Sequence, residues 1–195
     1  MPNQTLPIEW YGPYDFIQNE NLFTNPISQR NGVYSWTIPF ENNYLVYYVG
    51  QTGTSFAARS LQHIQSYLDG FYRVYDSEKF AKGEKVLIWG GMWKSDRKEP
   101  KVMSDFLSNY LQLAPKILEF VKLFRIFVAP VDGDDRIRER IESAVSSCLN
   151  KQPGIVGNFQ DKDIRYKPRK ITEKPFTVAI TAPNTIMGLT EELIV

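Results

Sequence analysis

The chain has 195 residues, a formal net charge of +1, 43% hydrophobic and 14% aromatic residues, and one cysteine, Cys148. This composition predicts a folded globular protein, and a single cysteine excludes an internal disulfide and a multi-cysteine zinc site. The N-terminus lacks a signal-peptide pattern and no apolar run approaches the roughly 18 residues of a membrane span. We therefore expect a cytoplasmic protein without a membrane partner.

The first half of the chain opens with residues 1–30, for which we expect an irregular lead-in. Two strands, VYSWTI (33–38) and YLVYYVG (44–50), follow and are apolar at nearly every position. This predicts a sheet covered on both faces, and the short link between the strands favours antiparallel pairing. A helix should begin near Phe56 and end at Gly70, with a buried face formed by Phe56, Leu61, Ile64 and Leu68.

The middle of the chain combines short strands with a long helix. Residues 86–93, VLIWGGMW, read as a hairpin turning at Gly90-Gly91. A helix is expected over 102–121, bent near Pro115. LFRIFVA (123–129) is predicted to be another strand.

The best-marked helix spans 134–149, with Asp134 and Asp135 suited to its N-terminus. Its buried face is formed by residues at helical spacing: Ile137, Ile141, Ala144, Val145 and Cys148. Glu142 lies about 100° round the helix from Ile141, on the shoulder of this face, where a carboxylate could line a cleft. FTVAI (176–180) is a last strand candidate.

Two features point towards chemistry. Arg59 and His63, the only histidine, are four residues apart, so a guanidinium and an imidazole share one helix face. Segment 161–174, DKDIRYKPRKITEK, carries six Lys or Arg against three Asp or Glu, and KSDRKEPK (94–101) is a second basic run. A basic patch can follow a phosphate backbone, although composition alone favours a solvated face.

The ordered set GVY (32–34), YVG (48–50), Arg59 with His63, and Glu142 resembles the GIY-YIG nuclease superfamily, most of all its type II restriction endonucleases. The resemblance implies an α+β fold with a small central antiparallel sheet of three core strands flanked by helices. It also implies a single domain over residues 1–195.

Within that domain the resemblance covers about 30–65 and 122–160. Residues 70–120 would be an insertion, and 161–195 a basic C-terminal extension. Beside such a nuclease core, lysines and arginines of the extension become candidates for DNA contacts: Lys162, Arg165, Lys167, Arg169 and Lys170.

The resemblance also implies roles for individual residues. Tyr34 would be the general base or would position the attacking water, and Tyr48 would hydrogen-bond water or phosphate beside it. Tyr47 is a decoy that should point elsewhere. Arg59 would bind the scissile phosphate, and His63 would take the proton onward, because an imidazole changes charge near neutral pH.

Glu142 would hold one Mg²⁺ or Mn²⁺ ion per site, with waters and substrate phosphate completing the shell. Without the resemblance, a surface pair between Glu142 and Arg138 would be the simpler interpretation. Asn158 would fix the phosphate or the Glu142 region, although Asn150 also lies downstream of Glu142.

These roles predict a metal-dependent endonuclease that cuts double-stranded DNA, and a site-specific restriction enzyme acting as a homodimer is the leading hypothesis. One alternative is a structure-specific repair or recombination nuclease. Another is a nucleic-acid-binding module without turnover, and a third is an unrelated α+β domain in which the two tripeptides occur by chance.

Overall fold

A computed structural model describes residues 5–18, 20–93, 100–182 and 186–195. It confirms the α+β class and divides the chain into two compact units, residues 1–57 with 125–195, and residues 58–124. In chain order the strands are β1 Thr5–Glu9, β2 Tyr11–Tyr14, β3 Gly32–Phe40, β4 Asn43–Thr52, β5 Val74–Tyr75, β6 Leu87–Trp89, β7 Arg125–Pro130, β8 Thr177–Thr181 and β9 Glu192–Ile194. The helices are α1 Phe56–Leu68, α2 Ser77–Phe80, α3 Pro100–Ser108, α4 Tyr110–Leu123, α5 Asp135–Asn150 and α6 Ile155–Phe159, with a 3-10 turn at Pro26–Gln29.

The first unit is built on an antiparallel sheet in the order β2-β7-β3-β4. The predicted core strands β3, β4 and β7 are confirmed, and β3 is buried over most of its length, as its uninterrupted apolar sequence requires. A register shift between Trp36 and Thr37 leaves Tyr47 as an extra residue of β4. Because β4 is an edge strand, it has backbone groups outside the β3 ladder.

The prediction of an irregular lead-in is wrong, because β1 and β2 lie within residues 5–14. β2 forms the far edge of the main sheet, and β1 pairs in parallel with β8 in a second sheet that β9 completes. A parallel partner so distant in the chain leaves no local pattern in the sequence.

Helix α5 covers one face of the main sheet. Asp134 caps it by accepting a hydrogen bond from the Ile137 amide at 2.8 Å, as the acidic start of the helix indicated. The predicted apolar face is confirmed at Ile141 and Val145, and Ile137 and Ala144 pack against the same core cluster. The predicted Cys148 is only half-buried, and Leu149 is buried instead. The cluster joins the helix to the sheet through residues that include Val33, Val49 and Phe127.

The second unit corrects two predictions. Residues 86–93 do not form a hairpin, since β6 pairs with β5, placing Trp89 opposite Val74. The long helix is interrupted at Asn109 and not at Pro115, which lies inside α4. The Asn109 side-chain amide donates to the Asp105 carbonyl at 2.8 Å, which satisfies a carbonyl at the end of α3.

The second unit also shows a different buried face of α1 from the one predicted. His63 and Tyr67 are buried, whereas Leu61 and Leu68 are 49% and 42% exposed. Six residues of the second basic run, 94–99, lie outside the described part of the chain. No helix among the described residues is long and apolar enough to cross a bilayer.

Candidate active site

Two tyrosines meet on neighbouring strands of the main sheet. Tyr34 lies opposite Gly50 in the β3–β4 ladder, and Trp36 lies opposite Tyr48. The rings of Tyr34 and Tyr48 have centroids 5.9 Å apart and are tilted by 59°. Tyr34 is 2% exposed and Tyr48 is half-buried, so Tyr48 is the member of the pair that reaches the surface.

Gly50 makes this arrangement possible. A Cβ at position 50 would stand 2.5 Å from the Cζ and Oη atoms of Tyr34 and 2.8 Å from Cε1 of Tyr48. These distances are shorter than any normal van der Waals contact. The glycine of the YVG tripeptide therefore provides the space in which the two rings converge.

Tyr47 has different neighbours, as predicted. It is buried and packs edge-to-face against Phe159 of α6, with ring centroids 6.0 Å apart. The adjacent side chains of Tyr47 and Tyr48 therefore lie in different surroundings, and the Tyr48 ring is the one that packs against Tyr34.

Glu142 lies on α5 beside the buried Ile141, and its side chain is half-buried, as expected for a residue on the shoulder of the apolar face. Arg138 is 4% exposed; it donates to the Gly133 carbonyl and forms an ion pair with Asp135. Because Arg138 is buried, any pair that it forms with Glu142 would not be the exposed surface ion pair that the sequence alone suggested.

The main sheet separates the tyrosine pair from the packing face of α5. Val33 and Val49, on the cluster face, contact α5 residues, whereas Tyr34 and Tyr48 converge over Gly50. A link between Glu142 and Tyr48 must consequently run round the open edge of β4.

The basic segment, residues 161–174, lies along that edge. The Asp161 amide donates to the Tyr47 carbonyl at 2.8 Å, and the Tyr166 hydroxyl donates to the Val49 carbonyl at 3.3 Å. These two acceptors flank Tyr48 in the strand. The start of the basic segment is thus fixed beside the exposed tyrosine of the pair.

Tyr166 also reaches α5. Its phenol is half-buried, and burial raises its pKa; a hydrogen bond from Ser146 opposes this, and nearby Tyr48 and Glu142 raise the pKa further. Two of the predicted site residues, Tyr48 and Glu142, therefore both act on the pKa of this phenol. Tyr166 was not predicted from the sequence.

The two asparagines differ in their surroundings. Asn158 is exposed on α6, and its backbone N–H donates to the Gly154 carbonyl at 3.3 Å. Asn150 donates through its side chain to Ser146 Oγ at 3.2 Å, and Ser146 is the α5 residue that bonds Tyr166. A hydrogen-bonded connection to the Glu142 helix turn is therefore seen for Asn150, while the role of Asn158 stays a prediction.

Arg59 and His63 belong to the second unit and share one face of α1. Arg59 Nη1 donates to Gln62 Oε1 at 3.0 Å, and the Tyr72 hydroxyl lies 3.2 Å from His63 Nδ1. Burial, reinforced by the Arg59 charge, lowers the pKa of His63 to about 3. The expectation that His63 changes charge near neutral pH is therefore wrong, and its place in a catalytic set stays a prediction.

The far end of the basic segment is anchored to α5 by Arg136. Its Nε and Nη2 donate to the two carboxylate oxygens of Glu173 at 2.6 and 2.7 Å, and its guanidinium also bonds the Lys167 and Pro168 carbonyls. Arg136 lowers the pKa of Glu173 to about 2. The segment is thereby held in a defined path.

The predicted DNA-contacting side chains on this segment are all exposed: Lys162, Arg165, Lys167, Arg169 and Lys170. Lys167 is partly neutralised, since it pairs with Glu139. Arg169 donates to the Glu173 carbonyl at 2.8 Å. The basic segment therefore presents exposed cations to solvent, of which Lys162 and Arg165 adjoin the Asp161 and Tyr166 contacts with β4.

The metal prediction depends on one carboxylate, Glu142. Within the described ranges, no three His, Cys, Asp or Glu side chains are grouped for metal binding. Mg²⁺ and Mn²⁺ can bind through a single carboxylate, because they keep several waters and share substrate phosphate oxygens. That Glu142 holds such an ion stays a prediction.

No family model, no curated protein and no solved structure matches the chain.

Proposed function

We propose that the protein is a GIY-YIG-type, metal-dependent endonuclease that hydrolyses phosphodiester bonds of double-stranded DNA at specific sites. The observation that carries this proposal is the convergence of Tyr34 and Tyr48 over Gly50, where a Cβ would stand 2.5 Å from Tyr34 Oη. If the two tripeptides occurred by chance, the glycine of one would not be expected to provide the space that the tyrosines of both occupy.

Hydrolysis of a phosphodiester requires removal of a proton from water, stabilisation of charge on the phosphoryl oxygens and departure of an alkoxide. Tyr34 would position or deprotonate the water, and Tyr48, which reaches the surface, would hydrogen-bond the water or the phosphate. Arg59 keeps its implied role in phosphate binding. With a pKa of about 3, His63 would act as a neutral hydrogen-bonding group near pH 7.

Glu142 would hold one Mg²⁺ or Mn²⁺ ion. When bound, the ion supplies positive charge that stabilises the transition state and the leaving oxygen. The carboxylate itself needs only to stay ionised and correctly placed, which its half-buried position on α5 allows.

The basic segment supports DNA as the substrate. Its exposed cations begin where Asp161 bonds the strand edge next to Tyr48, so a phosphate backbone bound there would pass close to the tyrosine pair. Phosphate contacts position a protein on DNA without reading sequence. A single metal per site cuts one strand at a time, which makes a homodimer the expected active form.

The test is digestion of mixed plasmid and phage DNA with Mg²⁺ by the wild-type protein, Glu142→Gln and Tyr34→Phe. Each variant should lose at least about 100-fold in rate, the usual contribution of a proton-transfer or charge-stabilising group. Matched controls are Glu191→Gln, at an exposed carboxylate of the same unit, and Tyr47→Phe, the neighbouring tyrosine of β4. Both should cut like the wild type.

Discrete fragments from the wild type and both controls, absent with the two site variants, would support a sequence-specific nuclease. Salt-sensitive binding without any cleavage would favour a binding module. Cleavage of junctions but not of plain duplex would favour a structure-specific nuclease. Equal cleavage by all five proteins would show that the active site lies elsewhere.

A further inference from the structure

The inference concerns Tyr166, which touches two separate elements of the first unit through one hydroxyl. On one side this hydroxyl donates to the Val49 carbonyl of β4 at 3.3 Å. On the other side it lies close enough to Ser146 of α5 for that hydroxyl to lower the pKa of the phenol, and Ser146 is 0% exposed. The phenol therefore ties the edge of the sheet to the helix.

The two attachment points have a particular relation to the site. Val49 is the residue between Tyr48 and Gly50. Ser146 lies four residues after Glu142 and hence one turn further along the same helix face. Tyr166 thus joins the strand position beside Tyr48 to the helix turn that follows Glu142.

Two further hydrogen bonds brace this contact. The Asp161 amide donates to the Tyr47 carbonyl at 2.8 Å, which holds the chain leading to Tyr166 on the same strand edge. The Asn150 side chain donates to Ser146 Oγ at 3.2 Å, which orients that hydroxyl. Four residues of two elements, Tyr47 and Val49 of β4 with Ser146 and Asn150 of α5, thereby define where the phenol lies.

We infer that Tyr166 is a positioning residue, whose hydroxyl fixes the distance between Glu142 and Tyr48 and so sets the geometry in which the bound ion meets the reacting phosphate. This inference rests on the proposed nuclease function. Its physical basis is that residues supporting a metal ligand or catalytic group from behind commonly change activity about 10- to 100-fold when they are removed.

Tyr166→Phe tests the inference, because it removes the hydroxyl and keeps the ring. The matched control is Tyr14→Phe, which makes the same chemical change on β2, the opposite edge of the same sheet. Both are compared with wild type for the single-turnover cleavage rate at saturating duplex DNA, its Mg²⁺ dependence, the DNA Kd with Ca²⁺ in place of Mg²⁺, and the Tm.

For Tyr166→Phe we expect the single-turnover rate to fall about 10-fold and the Mg²⁺ requirement to rise, with the DNA Kd unchanged within about twofold. Tyr14→Phe should match the wild type. Ser146→Ala, which removes the other end of the link, should give the same pattern, and the double variant should be no worse than either single variant. If Tyr166→Phe does not fold, Ser146→Ala decides the question.

A Tyr166→Phe protein that cuts at the wild-type rate would overturn the inference while leaving the nuclease proposal standing. A rate loss matched by an equal loss in Tm and DNA affinity would also overturn it, since that pattern is a general structural defect. A wild-type protein that cuts no DNA would instead remove the proposed function and this inference with it.

Discussion

Gly50 and Tyr34 lie so close that a single added carbon at position 50 would stand 2.5 Å from the Tyr34 hydroxyl oxygen. The two residues are direct partners in the β3–β4 ladder, and the contact involves side-chain space, since Gly50 is not among the glycines with positive φ. Glycine is therefore required at position 50 because the Tyr34 side chain occupies the space of a Cβ, and not because of the backbone conformation.

Gly50→Ala should accordingly displace the Tyr34 ring and destabilise the fold by about 1–3 kcal/mol, the usual cost of overpacking a buried site. Cleavage should fall together with stability, because the tyrosine pair loses its geometry. Urea unfolding and a digestion assay measure the two effects.

Gly154→Ala is the matched control for this change. Its φ of +67° makes an added side chain strained, yet nothing lies within 4 Å of its Cβ position. It should lose about 1–3 kcal/mol from backbone strain alone and keep its cleavage rate. An active Gly50→Ala protein of normal stability would show that the two rings do not need this space.

His63 should make the stability of the protein sensitive to acid. Its pKa is about 3 in the folded protein against about 6.5 in an unfolded chain, so the unfolded state binds the proton more readily. This contribution is complete above about pH 6.5 and is lost as the pH falls towards 3, by up to about 1.4 kcal/mol per pH unit.

His63→Asn removes this titration while keeping a polar group for Tyr72 to contact. Between about pH 7 and pH 4.5, urea unfolding of the wild type should lose more free energy than that of the variant. Carboxylates titrate in both proteins and cancel in the difference. Parallel pH profiles would mean that His63 is not held neutral by burial.

The residues that could be predicted from sequence share a local signature. Tyr34 and Tyr48 lie in recognisable strand motifs, and α5 is marked by its acidic start and its apolar spacing. The buried face of α1 was predicted wrongly at Leu61 and Leu68, because they offer an apolar stripe and only tertiary packing decides that His63 and Tyr67 are buried instead. Exposed fractions of 49% and 42% show that the leucine stripe faces solvent.

Long-range contacts explain the remaining differences. Tyr166 meets Val49 across 117 positions of the chain, and the β1–β8 pair joins opposite ends of the sequence. Partners so far apart in the chain share no local sequence pattern. The composition of the basic segment therefore shows its charge, but it does not show that the segment contacts the edge strand β4. The site residue missed from sequence is therefore the one whose role depends on this placement.

Arg136 should organise the basic segment through the shape of its guanidinium as well as its charge. Its Nε and Nη2 bond the two oxygens of Glu173, Nη2 also bonds the Pro168 carbonyl, and Nη1 bonds the Lys167 carbonyl. Lysine keeps the charge but cannot reproduce this fork. Arg136→Lys should therefore speed limited proteolysis within 161–174 and weaken DNA binding at constant net charge.

Arg30→Lys is the matched control for Arg136→Lys, since Arg30 also bonds both oxygens of a carboxylate, that of Asp132, at 3.0 and 3.2 Å. Those side chains are 52% and 85% exposed, and exposed pairs contribute about 0–1 kcal/mol. Its proteolysis pattern should stay unchanged. Identical behaviour of the two lysine variants would mean that the fork does not shape the segment.

Individual cations of the basic segment should differ in their contribution to DNA binding. Removing one cation that binds a phosphate should make the slope of log K against log salt shallower by about 0.9. Lys162→Gln should show this change, since Lys162 is exposed next to the Asp161 anchor on β4. Lys167→Gln should show a smaller change, because Lys167 already pairs with Glu139 and must give up that partner to bind a phosphate.

Titration of one duplex at several salt concentrations measures these slopes, with Lys79→Gln as the control. Lys79 is an exposed cation of the second unit that lies 3.8 Å from Glu84 and is not part of the basic segment. Its slope should equal that of the wild type. Equal slopes for Lys162→Gln and the control would place the DNA backbone away from the edge of β4, and would remove the reason for expecting phosphate beside Tyr48.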